Sequence, residues 1–146
     1  MNRIIIDFMS QQTCMTVCCL DANGLPYCFN CYFIYDNLHM RLIYKSSASA
    51  EHSKHIANNG HVSGTILPNH IRKFAVKGVQ FFGEIEALDA REEKYAAELY
   101  YGKFPIARVM NGVLNFIMIK AIKMTDSTLG IVNKIAWDRA IENPKW

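Results

Sequence analysis

The chain has 146 residues, with 16 Lys and Arg against 13 Asp and Glu, so its formal net charge is +3. Half of the residues are apolar (51%) and a fifth are charged (20%), which excludes a disordered chain and fits one globular domain over residues 1–146. The mild charge and the scattered Lys and Arg residues do not predict a nucleic-acid binder. We also expect no membrane span, because no apolar run approaches the roughly 20 residues that a bilayer requires.

The cysteines are odd in number and all lie in the first quarter of the sequence: Cys14, Cys18, Cys19, Cys28 and Cys31. The N-terminal segment has no signal-peptide pattern, so we expect reduced thiols in a cytoplasmic protein. Cys28 and Cys31 have a spacing found in zinc sites, but they lie in a predicted strand, where residues three apart point to opposite faces. We therefore favour buried structural thiols over a metal or redox site.

The first third of the sequence predicts a helix followed by three strands. The hairpin signal is strong, because Asn23-Gly24 lies between two apolar runs. The predicted elements are a helix at 2–11, strands at about 13–20 and 27–35, and a third strand that follows Asp36-Asn37 and ends near Lys45. In that third strand, alternation puts Leu42 and Tyr44 on one face and Arg41 on the other.

The remainder of the sequence predicts helices at the connections between further strands. Ser49 is a natural N-cap for a helix at 50–58, and Asn59-Gly60 is the matching stop. Asp89 opens a second helix to about Tyr101, with a spacing close to that of a capping box. The other predicted elements are strands at 61–67, 74–88 and 113–124, a short helix between Phe104-Pro105 and Asn111-Gly112, and an irregular or shortly helical tail at 129–146.

Six strands in meander-like order, with helices only at the connections, predict a mainly β fold built on a small antiparallel barrel. Some strands are apolar on both faces: Ile117 and Ile119 lie opposite Phe116 and Met118 in the last one. The outer apolar face must be covered by the helices or by a partner chain. We expect a homodimer.

The segment 44–54 is the strongest local candidate for a binding site. A strand, a serine-rich turn and a helix N-terminus are suited to a phosphate, since hydroxyls and free backbone N–H groups meet there. Lys45 approaches from the strand end, Lys54 can reach back from the second turn, and His52 can contribute to an anion site. The alternative is a capped surface helix with solvated lysines. His52 and His55 share a helix face and could also form a metal or heme pair, although the sequence places no third ligand.

The order of elements, the strand ending in Tyr44-Lys-Ser-Ser47, and the following Ser53-Lys-His-Ile56 resemble the pyridoxamine 5'-phosphate oxidase-like, FMN-binding split-barrel family. The sequence is also similar to a small bacterial branch of that family, the YhbP type, most densely over 78–85, 104–108 and 125–137. The resemblance implies a six-stranded antiparallel split barrel that binds FMN in a groove at a homodimer interface.

The resemblance also implies positions for the cofactor. The phosphate would be held by hydroxyls and a lysine of the strand–turn–helix unit: Ser46, Ser47, Ser49, Ser53 and Lys54. The flavin ring would rest near Asn30, Cys31, Tyr32 and Gln80, and Trp137 and Arg139 are candidates from the second subunit. The sequence departs from the oxidase at Phe29 and Ile34, which replace an Arg and a Lys, and in its C-terminal residues, so pyridoxamine phosphate oxidase activity is not implied.

If FMN binds, the flavin carries the hydride and the protein orients it, which explains why no acid–base pair is evident. The resemblance thus implies a flavin-dependent oxidoreductase that acts on an unidentified small molecule or a nicotinamide cofactor. Two other classes stay open: a heme-binding protein that uses His52 or His55, and a cofactor-free dimeric binding protein.

Overall fold

The computed structural model describes residues 1–73, 75–128 and 130–140. Helices and strands within these residues are, in chain order, α1 (Arg3–Gln11), β1 (Cys14–Leu20), β2 (Pro26–Asp36), β3 (Arg41–Ser46), α2 (Glu51–Asn58), β4 (His61–Ile66), β5 (Lys77–Glu86), α3 (Ala90–Lys103), a 3-10 helix (Pro105–Val109), β6 (Val113–Asp126) and β7 (Asn133–Asp138). None of the helices in these ranges is long and apolar enough to cross a membrane.

Six antiparallel strands form a closed barrel. The strand order is β3-β2-β1-β4-β5-β6-β7, and β3 also pairs with β6, which closes the ring. In that closing ladder Tyr44 lies opposite Asn115 and Ser46 lies opposite Val113. The predicted mainly β fold, a six-stranded antiparallel barrel, is confirmed.

The C-terminal strand was not predicted. β7 pairs with β6 and places Trp137 opposite Ile122, where the sequence predicted an irregular or shortly helical tail. That interpretation is wrong over 133–138, since these residues bond to an edge of β6 that the barrel leaves free; Leu129 and 141–146 lie outside the described residues. β5 begins at Lys77 rather than at 74, and Phe74 also lies outside them.

Two apolar clusters explain why β6 is apolar on both faces. Ile117 and Ile119 lie in the barrel interior, whereas Phe116 packs outside it in a second cluster with Ala96 and Tyr100 of α3. The outer apolar face around Phe116 is therefore covered within the chain by a helix, which was one of the two predicted solutions. Asp89 caps α3 as predicted, accepting hydrogen bonds from the backbone N–H groups of Arg91 and Glu92.

The barrel contains a buried ionic network near the β2–β3 turn. Arg41 is only 1% exposed and lies on the face of β3 opposite Leu42 and Tyr44, as alternation predicts. Its Nε donates to Asp36 Oδ2 over 2.9 Å, and its Nη1 lies 3.5 Å from Glu92 of α3. A buried charge of this kind is tolerated only when it is paired, so the network fixes α3 against the barrel.

Candidate functional site

A groove with a cavity volume of about 450 Å³ lies between β2, the end of β3 and the 3-10 helix. One wall carries aromatic side chains of β2 and α3 with the residue that follows α3: Phe29, Tyr32, Tyr100 and Phe104. Tyr32 and Phe104 are in tilted contact, with ring centroids 5.7 Å apart. A space of this size, apolar with a few polar groups, is typical of a site for a small ligand.

Six of the predicted binding residues line this groove. They are Asn30, Cys31, Tyr32, Lys45, Ser46 and His52. They meet because β2 and β3 are neighbours in the sheet and α2 starts directly after β3. The structure thus brings the serine-rich turn and the middle of β2 to the same place.

Lys45 is held by the 3-10 helix. Its Nζ donates hydrogen bonds of 2.6 Å to the carbonyl oxygens of Ala107 and Met110, and it lies 5.2 Å from the ring centre of Tyr101. A cation at the C-terminal end of a helix satisfies carbonyl groups that have no partner within the helix. Lys45 therefore positions the 3-10 helix as one wall of the groove, and its charge is already engaged by that wall.

His52 forms the polar centre of the groove. Its Nε2 lies 2.5 Å from Ser46 Oγ, and its ring stacks on Phe29 with centroids 3.8 Å apart and an interplanar angle of 11°. Burial, together with the nearby His55, lowers the pKa of His52. The imidazole is therefore neutral at neutral pH, and its Nε2 can accept a hydrogen bond from the Ser46 hydroxyl group.

Cys31 is a poor thiolate in this setting. Burial is the main cause that raises the pKa of its thiol, with a smaller contribution from Cys14. Because the thiolate is the reactive and metal-binding form, a protonated Cys31 acts as a small apolar surface at the bottom of the groove.

The serine-rich turn and α2 form the polar end of the site. Ser47 Oγ is 2.9 Å from Ser49 Oγ, and Ser53 Oγ donates to the Ser47 carbonyl oxygen over 2.8 Å. The predicted N-cap was wrong: Ala50 holds that position, without a side-chain capping bond. N–H groups in the first turn of a helix have no acceptor within the helix and need one from outside. Among the described residues, the backbone N–H groups of Glu51 and His52 have none.

Lys54 points along the exposed face of α2. Its Nζ is 3.0 Å from Glu51 Oε2, and its side chain is 60% exposed. The hydrogen bond from Lys54 is the main cause that lowers the pKa of Glu51, so the Glu51 carboxylate is ionised at neutral pH. Lys54 must leave Glu51 in order to reach an anion at the helix N-terminus.

Seven predicted residues do not line the groove: Ser47, Ser49, Ser53 and Lys54 lie in the adjoining turn and α2, and Gln80, Trp137 and Arg139 lie away from it. Gln80 lines a second cavity, on the outer face of the sheet. Trp137 and Arg139 lie at β7, where Arg139 donates to the carbonyl oxygens of Ile119 and Met40 over 2.8 and 3.0 Å. Within the described chain these residues do not meet the groove residues.

Sequence reasoning missed the groove residues that α3 and the segment after it contribute. The groove is also lined by Tyr100 of α3 and by Phe104, Ile106, Ala107 and Met110 of the segment that follows it. The available signal was the apolar stretch at 104–110, which is too long for an ordinary solvated connection.

Comparison with known proteins identifies the family. A model of the family described as "Pyridoxamine 5'-phosphate oxidase" matches residues 4–123. The chain belongs to this family. A UPF0306 protein of Serratia proteamaculans is 34% identical over 136 residues, which are 92% of this chain and 93% of that protein.

Solved structures support the same fold. A heme binding protein from Mycobacterium smegmatis matches with a TM-score of 0.72 and 16% identity over 88% of this chain, which spans about half (54%) of that protein. A FAD-binding protein from Mesorhizobium loti matches with a TM-score of 0.68 and 16% identity, over 88% of this chain and 96% of that one. At such identities the likeness establishes the split-barrel fold.

The structure explains the two departures from the oxidase pattern. Phe29 stacks on His52 in the groove, and Ile34 is buried in the cluster beneath α3. Both positions serve packing here, so β2 offers no cation to a phosphate at either of them.

Proposed function

We propose that the chain binds FMN in the groove and is a flavin-dependent oxidoreductase. The observation that carries the proposal is the junction of an aromatic groove with a serine-rich helix N-terminus. A flavin mononucleotide has the same two parts, a planar ring system and a phosphate. The FAD-binding relative of the same fold is consistent with a flavin in this family.

The ring would lie against the aromatic wall. Tyr32 is 65% exposed and Phe104 is its neighbour, so a planar ligand can cover both without displacing core residues. Cys31 and Asn30 would be next to the ring, the first as an apolar contact and the second as a hydrogen-bonding group. Aromatic contacts of this kind favour offset stacking.

The phosphate would lie at the N-terminus of α2. The uncapped N–H groups of Glu51 and His52 need an acceptor, and the Ser47 and Ser49 hydroxyls are next to them. Lys54 can supply the positive charge once it leaves Glu51. The donor set therefore fits a phosphate dianion.

Bound FMN would supply hydride transfer, and the chain's own residues would bind it, orient it and exclude water. The neutral His52, hydrogen-bonded to Ser46, would fix the edge of the groove between the ring and the phosphate. The substrate class we propose is a small molecule or a nicotinamide cofactor. The missing β2 cations argue against pyridoxamine phosphate oxidase activity.

We also propose that the protein is a homodimer whose second copy covers the open side of the groove. Four apolar side chains near the groove are more than half exposed: Ile106, Val109, Met110 and Val113. A cluster of this kind favours contact with another protein surface. Trp137 and Arg139 would then be candidates to reach the cofactor from the second copy.

The test of flavin binding is a fluorescence titration with FMN and riboflavin. The variant Tyr32→Ala removes one of the two aromatic rings on which the flavin would lie. The affinity for both ligands should fall by about twofold to tenfold, since an aromatic pair contributes about 0.5–1.5 kcal/mol. Tyr27→Ala is the matched control, because Tyr27 lies on the same strand but contacts His55 outside the groove. An absence of FMN binding by the wild type, or an equal loss in both variants, would contradict the proposal.

Heme binding is the second candidate, and His52 is the observation that favours it. A neutral imidazole lines the groove, and heme iron is commonly held by such a ligand. Its Nε2 is bonded to Ser46, so that bond must break on ligation. A hemin titration should give a Soret shift that His52→Ala abolishes and His55→Ala retains. A Soret shift that persists in His52→Ala would contradict the proposal that His52 binds heme.

A further inference from the structure

Two cysteines lie directly opposite each other on the outer face of the sheet. In the β1–β2 ladder Cys18 pairs with Cys28, whereas Cys14, Cys19 and Cys31 face other residue types. All five thiols are free. Cys18 and Cys28 are therefore the one cysteine pair that the strand register brings together.

The backbone geometry at this pair is that of a non-hydrogen-bonded site. Hydrogen bonds mark the pairs Thr13–Phe33 and Asp21–Leu25, at the two ends of the β1–β2 ladder, as hydrogen-bonded pairs: Phe33 N–H donates to the Thr13 carbonyl oxygen and Asp21 N–H to that of Leu25. Because hydrogen-bonded and non-hydrogen-bonded pairs alternate, the even-numbered pair Cys18–Cys28 is of the second kind. Such pairs have Cα atoms about 4.5 Å apart, inside the range of about 4.4–6.8 Å that a disulfide spans.

Both thiols can be reached from solvent. Cys28 is exposed and Cys18 is half-buried, and both line a second cavity of about 410 Å³ that also contains Phe82 and Lys123. Burial, with a hydrogen bond to Cys28, raises the pKa of Cys18. An incoming reagent therefore meets the Cys28 thiol first, and Cys18 is the second thiol, which resolves the mixed disulfide formed at Cys28.

We propose that Cys18 and Cys28 form a reversible dithiol–disulfide couple that reacts with small-molecule disulfides of the glutathione type. The expectation that the thiols are buried is wrong for Cys28, which is exposed. The couple is independent of the flavin groove, because neither cysteine lines it. In a reducing compartment the pair would rest as two thiols and respond to an oxidised disulfide pool.

The reaction is two successive exchanges. The Cys28 thiolate attacks one sulfur of R–S–S–R, that bond breaks, a Cys28–S–S–R mixed disulfide forms and one RS⁻ leaves. Cys18 then loses its proton and attacks Cys28 Sγ, which forms the Cys18–Cys28 bond and releases the second RS⁻. The two protein thiols lose two electrons and two protons, and the disulfide becomes two R–SH.

The experiment treats the reduced full-length protein with glutathione disulfide, blocks the remaining thiols with iodoacetamide, and maps the products by mass spectrometry. We expect wild type to lose two hydrogen atoms, with Cys18 and Cys28 joined within one chain. In Cys18→Ser the mixed disulfide at Cys28 should persist at least about tenfold longer, because the intramolecular attack that resolves it is absent. Cys14→Ser is the matched control, because Cys14 is also exposed on β1 but faces Tyr32.

The wild-type map decides the matter even if a variant folds poorly. Mixed disulfides alone at Cys28, a bond between two chains, or reaction at Cys14 while Cys18 and Cys28 stay alkylated would each overturn the proposal. A Cys14→Ser variant that fails to form the Cys18–Cys28 bond would overturn it as well.

Discussion

The substitution Lys54→Ala tests the proposed position of the FMN phosphate at the N-terminus of α2. A charge-assisted hydrogen bond contributes about 1.5–3 kcal/mol, and the solvent-screened pair with Glu51 that Lys54 gives up offsets only part of this gain. FMN affinity should therefore fall by about fivefold to a hundredfold. Riboflavin has no phosphate, and its affinity should barely change.

Glu51→Gln is the complementary variant in the same flavin-fluorescence titration. It frees Lys54 and removes a negative charge from the first turn of α2, so FMN should bind about twofold to fivefold more tightly, again with little change for riboflavin. Opposite effects of the two variants on FMN alone would identify a phosphate contact. Equal losses for FMN and riboflavin in Lys54→Ala, or no loss for either, would refute the reasoning.

Three further predictions concern stability and assembly. Gly64→Ala should destabilise the barrel by about 1–3 kcal/mol in urea unfolding, because its Cβ would clash with the Thr16 carbonyl oxygen, whereas Gly60→Ala should be nearly neutral. Hydrogen bonds from Thr128 and Lys77 lower the pKa of Asp126 to about 2. The difference in the free energy of unfolding between wild type and Asp126→Asn should therefore be largest above about pH 4 and vanish as the pH falls toward about 2. A difference that does not change with pH would contradict this prediction. Sedimentation at micromolar concentration should give a dimer that Met110→Glu shifts toward monomer, and a wild type of monomer mass would count against the dimer.

The barrel could be predicted because its signals are local. The Asn23-Gly24 turn and the alternation of β5 follow directly from residue type, and the structure agrees with both. β7 could not be predicted in the same way. Its residues are half exposed or exposed, and what makes them a strand is pairing with an edge of β6 that only the assembled barrel presents.

Arg41 shows a second limit of sequence reasoning. Alternation correctly separates the two faces of β3, but it cannot tell that α3 covers the outer face and brings Glu92 to within 3.5 Å of the guanidinium. Burial of a charge depends on partners that are distant in sequence, here Asp36 on β2 and Glu92 on α3. For the same reason the sequence did not predict that Phe104 lines the groove, since its contact with Tyr32 joins segments about 70 residues apart.

Phe29 and Ile34 of β2, where the resemblance to the oxidase implies an Arg and a Lys, would determine what kind of site the proposed flavin meets. With Phe29 stacked on His52, the groove gains aromatic surface where the oxidase has a cation. With Ile34 buried beneath α3, the second cation is replaced by packing that holds the groove wall in place. The charge for a phosphate must then come from α2 alone, through its N-terminus and Lys54. The phosphate would then have fewer cations around it than the oxidase pattern supplies, so the ratio of riboflavin to FMN affinity is the most informative quantity to measure on this protein.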